Sequence, residues 1–168
     1  MRIRHQYLLT TGLTGLAFGA QPALAATADV TVTLPQLKVA EFHKPYVAIF
    51  LEQPGQPTAK TLAVWYDFDN RENGGTKWLR DMRTWWRESG RALTLPADGI
   101  SGATRAPGPQ KASIDLGALK PGDYVLAVEA AREEGGHELV RIPFKWPAKA
   151  LSGTGSTELG AITATIRP

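Results

Sequence analysis

Short segments of β-branched and aromatic residues, separated by turn-forming residues, recur along most of the chain and constrain its fold class. Turn-forming clusters such as QPGQP (53–57) and REEGGH (132–137) separate these segments, so the hydrophobic periodicity of each segment does not continue into the next. About seven strands with turns between them predict an all-β fold, an antiparallel immunoglobulin-like β-sandwich. The segments are residues 30–34, 45–52, 61–67, 111–115, 123–131, 138–146 and 158–166. The stretch SGTGST (152–157) we interpret as a flexible loop.

Tyr124 stands just after a Pro-Gly-Asp turn and opens one of these predicted strands. A tyrosine at such a corner hydrogen-bonds to the backbone a few residues upstream in immunoglobulin-like sandwiches. The residues leave two interpretations open: a tyrosine corner of this kind, or a ring that only packs in the core.

One segment, residues 76–88, has helical rather than strand periodicity. At about 100° per residue its apolar residues fall on one side and its basic residues on the other. Thr76 suits an N-cap and Gly90 a C-terminal stop. We predict a helix on a sheet with buried tryptophans; the alternative is an indole that stacks on a planar ligand. The apolar side consists of Trp78, Leu79, Met82, Trp85 and Trp86, and the basic side of Lys77, Arg80, Arg83 and Arg87.

The first 25 residues have the composition of a cleavable export signal. Two arginines provide a basic start, residues 7–20 are mostly apolar, and Ala23-Leu24-Ala25 offers the small-x-small pattern that signal peptidase recognises. The apolar run is shorter than the ~20 residues that span a bilayer, which favours a signal peptide over a membrane anchor. We predict cleavage before Ala26, a periplasmic location and a single domain over residues 26–168.

The composition of the predicted mature chain excludes several classes of function. Removal of two arginines and no acidic residue lowers the formal net charge from +3 to +1. We therefore expect no nucleic acid, and no DNA, as a partner. There is no Cys, and of the histidines only His43 and His137 remain, neither with a metal-spaced partner, so we predict no metal site. Asp67 and Asp69 have a spacing found in calcium loops, but a solvated turn is favoured.

The stretch Asp98–Thr104, DGISGAT, has neither helical nor strand periodicity. Gly102 and Ala103 leave the Thr104 hydroxyl without bulky neighbours, so another molecule can approach it closely. Asp98 and Ser101 are short polar residues that can hydrogen-bond to the local backbone and hold the loop. The neighbouring Arg105 can pair with a phosphate. These residues alone are equally compatible with an ordinary glycine-rich loop.

The same stretch resembles the covalent flavinylation motif, D-x-x-[ST]-G-A-T, and matches all five specified positions. The motif is known from subunits of the sodium-pumping quinone reductase and of a related ferredoxin-oxidising membrane complex. There an FAD-dependent flavin transferase joins FMN, through its phosphate, to the last Thr. The resemblance implies that Thr104 is the acceptor. It also implies that Asp98, Ser101, Gly102 and Ala103 are the recognition positions.

Most of the remaining chain resembles the periplasmic family known as domain of unknown function 2271. The resemblance rests on KPYVAIFLE, TLAVWY, a Trp-containing helix, SGATRAPG and GDYVLAVEAAREEGG. It implies an immunoglobulin-like sandwich that carries the attachment motif. It also implies two kinds of partner, a flavin transferase and a membrane-bound flavin or haem reductase with a peptidase-propeptide-like domain.

These resemblances imply a periplasmic electron-transfer flavoprotein with FMN on Thr104. It would relay electrons between a membrane reductase and an extracytosolic acceptor, as a carrier rather than a stand-alone enzyme. Arg105 would neutralise the phosphodiester, and Trp85 or Trp86 would stack on the flavin ring. The alternative is an unmodified immunoglobulin-like accessory module that binds a protein or ligand. In the flavoprotein, the basic side of the helix (Arg80, Arg83, Arg87) would stabilise the reduced, anionic flavin.

Overall fold

The computed structural model describes residues 24–69 and 71–167, and these form nine β-strands and a short helical layer. The helical layer (residues 71–92) consists of a 3₁₀ helix Arg71–Asp81, the α-helix α1 Arg83–Glu88 and a 3₁₀ turn Gly90–Ala92. The strands are β1 Leu24–Leu34, β2 Tyr46–Glu52, β3 Lys60–Tyr66, β4 Ser101–Ala103, β5 Gly108–Leu119, β6 Gly122–Ala131, β7 His137–Trp146, β8 Ala150–Thr154 and β9 Ala161–Arg167.

The strands pair into two sheets that pack face to face. The four-stranded sheet has the order β5-β1-β9-β8, and the five-stranded sheet has the order β4-β3-β2-β6-β7. Every described pairing is antiparallel except that between β3 and β4, which is parallel. The predicted antiparallel all-β sandwich is therefore confirmed.

The five-stranded sheet is buried on both faces, which explains why its central strands are apolar without interruption. On β2, Val47 and Ile49 face the four-stranded sheet, and Ala48 and Phe50 face the helical layer. All four side chains are 0% exposed. A strand covered by packed layers on both sides needs apolar residues at successive positions rather than in alternation.

The predicted helix over residues 76–88 is present only in part. The segment begins earlier, as a 3₁₀ helix, and only Arg83–Glu88 is α-helical. The two pieces are separated by Met82, whose ψ of 73° lies outside the helical range. Of the predicted apolar side, Leu79, Met82 and Trp85 are at most 2% exposed, as expected for a helix packed on a sheet.

A buried carboxylate on the five-stranded sheet caps α1. Glu129 of β6 is 0% exposed and accepts hydrogen bonds from the backbone N–H groups of Thr84 (3.0 Å) and Trp85 (2.6 Å). His137 of β7 places its Nε2 atom 2.5 Å from the same carboxylate. Helix α1 has no side-chain cap of its own at Met82, so its first N–H groups depend on β6.

Tyr124 forms the tyrosine corner. Its hydroxyl donates to the backbone oxygen of Lys120 at 3.0 Å, and its ring is 6% exposed. The hydrogen bond, and not packing alone, positions this ring at the start of β6.

The prediction of a flexible loop at residues 152–157 is wrong for residues 152–154. Ala150–Thr154 forms β8, the edge strand that pairs with β9. Gly153 faces the neighbouring sheet, where a Cβ would lie 2.7 Å from a side-chain carbon of Ile142. The glycine therefore marks a close approach between two layers rather than a flexible turn.

The turn between β8 and β9 wraps around one carboxylate. Glu138 accepts hydrogen bonds from the backbone N–H groups of Ser156, Thr157, Glu158 and Leu159, and from the Ser156 hydroxyl, at 2.6–3.0 Å. Glu158 in turn accepts two hydrogen bonds from Arg132, at 2.7 and 3.0 Å. These contacts tie the last turn to the β6–β7 hairpin.

Most of the predicted signal peptide, residues 1–23, lies outside the described residues. Strand β1 begins at Leu24, and Ala26 pairs with Gly117 of β5. The predicted cleavage site before Ala26 therefore falls two residues into strand β1. Among the described residues, no helix has the length and apolar character needed to cross a membrane.

Removal of the Glu129 carboxylate will weaken the attachment of the helical layer to β6. Glu129→Ala leaves two backbone N–H groups without an acceptor, and we expect a loss of about 1–3 kcal/mol in the free energy of unfolding. Denaturant unfolding followed by tryptophan fluorescence measures it, with the exposed Glu41→Ala as control. A loss below about 0.5 kcal/mol, the usual range for surface substitutions, would contradict this role.

Glu138 will make the stability of the fold depend on acid pH. Partial burial alone would raise the pKa of Glu138, but hydrogen bonds from Ser156, Leu159 and Thr157 outweigh it and lower the pKa to about 2. Because this lies below the ordinary value of 4.5, the carboxylate stabilises the fold above pH 4.5. That contribution is lost as the pH falls toward about 2.

The measurement is the melting temperature between pH 6 and pH 2 for the wild type, Glu138→Gln and the control Glu41→Gln. We expect the wild type and the control to lose stability steeply within this window, and Glu138→Gln to lose less because it has no carboxylate to protonate at this position. If the melting temperature falls equally steeply with pH in all three chains, Glu138 is not the source of this pH dependence.

Candidate functional site

The segment 97–105 runs along the free side of β3 and ends at one edge of the five-stranded sheet. Ser101–Ala103 forms β4, which pairs in parallel with β3: Ser101 lies opposite Val64, and Ala103 opposite Tyr66. The sequence predicted a loop without strand character here. A three-residue strand forms because the partner edge of β3 is exposed to it, which local periodicity does not reveal.

Local hydrogen bonds hold the start of this segment. The Ser101 N–H donates to the Ala97 oxygen, and the Ala97 N–H donates to Ser101 Oγ, both at 2.9 Å. The Val64 N–H donates to the Ile100 oxygen at 2.8 Å. Gly99, with φ of 71°, makes the tight turn between them. Ser101 therefore holds the loop as the sequence predicts.

Asp98 does not hold the loop. Its residue is exposed, and within the described residues its carboxylate has no hydrogen-bond partner. The backbone turn is already closed by Ser101 and Ala97, so the Asp98 side chain stays in solvent. The expectation that Asp98 hydrogen-bonds to the local backbone is wrong.

Arg105, which follows Thr104 in the chain, lies over the ring of a core tryptophan. Its guanidinium carbon is 4.9 Å from the centre of the Trp65 ring, a cation–π contact. In the part of the chain that the structure describes, its buried Nε has no hydrogen-bond partner. Gly102 makes room for this arrangement, because a Cβ there would lie 3.2 Å from Trp65 Cδ1 and 3.9 Å from the guanidinium.

Thr104 follows β4 directly and is half-buried, next to the exposed Ala103. Its hydroxyl has no hydrogen-bond partner among residues 24–69 and 71–167. A half-buried threonine with an uncommitted hydroxyl, directly before an arginine in the chain, suits the attachment of an anionic group.

A family model described as "Predicted periplasmic protein (DUF2271)" matches residues 27–161. The chain belongs to this DUF2271 family. No curated protein and no solved structure matches it. The matched range of the DUF2271 chain includes the whole five-stranded sheet and all of the segment 97–105, and it ends at the first residue of β9. The family's description as predicted periplasmic agrees with the export predicted from the N-terminus.

The structure corrects the prediction that Trp85 stacks on a ligand. Trp85 is 0% exposed, its Nε1 donates to Thr61 Oγ1 at 2.9 Å, and its ring packs under Gly90. An indole that is fully covered by the protein has no ring face on which a ligand can stack. Trp86 is half-buried against the same core, with its ring 6.1 Å from that of Trp85, and its proposed contact stays a prediction.

The predicted basic side of the helix is exposed but is not gathered at Thr104. Arg87 pairs with Glu88 at 3.3 Å and borders the β2–β3 turn, whereas Thr104 lies level with the opposite end of β3. The seven residues of β3 span about 20 Å. Arg83 begins α1 above β6, three strands from β4, and Arg80 is exposed in the last turn of the 3₁₀ helix. Arg105 is the cation that adjoins Thr104.

Phe68 is the surface aromatic that sequence analysis missed. Its side chain is 36% exposed, and its ring lies 6.0 Å from the buried ring of Tyr66. The signal was the run of aromatics Trp65, Tyr66 and Phe68 across the end of a predicted strand, where the third residue no longer has a core to enter. Among the described residues, no cluster of three His, Cys, Asp or Glu has a metal-holding arrangement.

The Tyr66 side chain forms the floor beneath this aromatic. Burial raises the pKa of Tyr66, and the nearby Ser101 hydroxyl lowers it in part. Its buried hydroxyl nevertheless lacks a partner with full hydrogen-bonding geometry among the described residues. The Tyr66 side chain thus lies next to both Ser101 of β4 and Phe68, on the face of the sheet that the helical layer covers.

A larger residue at position 102 will disturb the stacked pair in this DUF2271 chain. Gly102→Val pushes a branched side chain against Trp65 and the Arg105 guanidinium, and we expect about 1–3 kcal/mol of destabilisation from overpacking. The control is the neighbouring Ala103→Val, which points into solvent. Denaturant unfolding measures both, and equal stability of the two variants would contradict the close approach.

Proposed function

We propose that this protein is a periplasmic electron-transfer flavoprotein that carries FMN in a phosphoester bond to Thr104. The observation that carries the proposal is the complete DGISGAT motif, together with the uncommitted Thr104 hydroxyl at its end. The motif lies on an accessible sheet edge, where a modifying enzyme can reach it.

The residues around Thr104 fit a phosphodiester. Such a group carries a single negative charge, and the Arg105 guanidinium is fixed beside it on the Trp65 ring with one buried N–H unsatisfied. Charge-assisted hydrogen bonds from arginine to phosphate are among the stronger polar contacts in proteins. The small side chains at Gly102 and Ala103 leave space for the phosphate.

The attachment step is a transfer from FAD. The Thr104 oxygen attacks the phosphorus on the FMN side of the pyrophosphate, the bond to the AMP phosphate breaks, and AMP leaves. The flavin transferase accepts the hydroxyl proton. The exposed Asp98 and Gly99 are free to contact that enzyme, because Ser101 and Ala97 hold the turn from within.

The bound flavin would supply one- and two-electron transfer, and the protein would supply attachment and access for partners. A covalent bond retains the cofactor outside the cytoplasm, where a dissociated FMN would be lost. The proposed partners are an FAD-dependent flavin transferase and a membrane-bound reductase with a peptidase-propeptide-like domain. An extracytosolic acceptor completes the relay, and the signal peptide would be cleaved before Ala26.

The test is coexpression with a flavin transferase, followed by acid precipitation, visible absorbance and intact mass. We expect a yellow pellet and a mass increase of one FMN less one water for the wild type and for the control Thr58→Val, an exposed threonine elsewhere. Thr104→Val will be colourless. A colourless wild type of unmodified mass would refute the proposal and favour the unmodified accessory module.

Arg105 will influence how much flavin is attached. We expect Arg105→Ala to lower the loaded fraction and shift the flavin midpoint potential to a more negative value, because a cation beside the phosphate is lost. Arg105→Lys should restore part of both, whereas Arg87→Ala, at the other end of β3, should change neither. Intact mass and spectroelectrochemistry give the two quantities. Wild-type loading and potential in Arg105→Ala would exclude this role.

A further inference from the structure

Phe68 is an aromatic surface held in place at the edge of the protein. Its N–H donates to the Tyr66 oxygen at 2.9 Å, and its ring meets the Tyr66 ring at 56°. Tyr66 is 1% exposed, so the platform beneath Phe68 is rigid. Within the described part of the chain, Val39 is the other large apolar side chain with comparable exposure.

Phe68 and Thr104 lie at the same end of neighbouring strands. Strands β3 and β4 are parallel, and Tyr66 and Ala103 are directly paired, so Phe68 and Thr104 both lie just beyond the same end of the two strands. Phe68 follows Tyr66 by two residues, and Thr104 follows Ala103 by one. Since adjacent strands are about 4.8 Å apart and successive Cα atoms about 3.8 Å apart, the Phe68 ring and the Thr104 side chain are on the order of 10 Å apart.

We propose that Phe68 is the contact surface for the isoalloxazine ring of the flavin on Thr104, an inference that rests on the proposed function. The phosphate and five-carbon ribityl arm allow the ring to reach a surface on this scale. A planar aromatic ligand stacks on an exposed aromatic side chain, and the fully buried Trp85 cannot serve. Phe68 limits the motion of the tethered ring and shields one of its faces from water.

The contact predicts a specific optical signature in the flavinylated protein. In the wild type we expect high steady-state flavin anisotropy, an induced visible circular dichroism band and weak quenching by iodide. Phe68→Ala will keep full loading by intact mass, lose the dichroism band and raise the iodide quenching constant about twofold, since one ring face becomes open to solvent. Phe68→Trp will restore the wild-type values, and Val39→Ala will not alter them.

The outcomes separate the two proposals. If intact mass shows no flavin on the wild type, the proposed function fails, and this inference fails with it. If Phe68→Ala is fully loaded and matches the wild type in anisotropy, dichroism and quenching, this inference alone is overturned. Loss of binding to a reductase with unchanged flavin optics would also overturn it, because Phe68 would then contact a protein partner.

Discussion

The architecture around the candidate site depends on one buried carboxylate, Glu129. Placing a charged group at 0% exposure is unfavourable unless the surrounding donors compensate for lost hydration. Here two backbone N–H groups of α1 and the His137 ring supply those contacts. Helix α1 is thereby attached to β6 at its beginning. At its end, the Ser89 hydroxyl lies 2.5 Å from the Thr61 hydroxyl of β3.

This attachment determines where the following chain goes. Helix α1 leads from β6, at Thr84 and Trp85, to β3, at Ser89, so the following chain emerges beside the free edge of β3. Residues 97–105 then run along that edge and add β4 in parallel. An exposed sheet edge would offer unpaired backbone groups, and β4 covers part of it. The DGISGAT segment is therefore positioned by the sheet as well as by its own hydrogen bonds.

The candidate site combines a backbone held by hydrogen bonds with a threonine whose hydroxyl is uncommitted. Ser101 closes the turn, Gly102 lets Arg105 lie on Trp65, and Thr104 follows where pairing with β3 has ended. Each of these residues occupies a position that its size or polarity suits. The proposed attachment of a cofactor to Thr104 would leave both packed cores undisturbed, since neither core contains Thr104.

The sequence by itself determined the strand-rich fold, the covered helix face and the family, because these follow from periodicity, turn residues and local motifs, whereas the hydrogen bond in the structure decided that Tyr124 forms a tyrosine corner. Trp85 and Trp86 are adjacent and chemically equal in the sequence, yet only packing under Gly90 and the bond to Thr61 remove Trp85 from the surface. Arg87 and Arg105 are likewise equal as charges, but the path of the chain places one at each end of β3. The tertiary structure alone determined the burial of Trp85, the separation of Arg87 from Arg105 and the position of Phe68 near Thr104. These depend on which distant segments share a sheet edge.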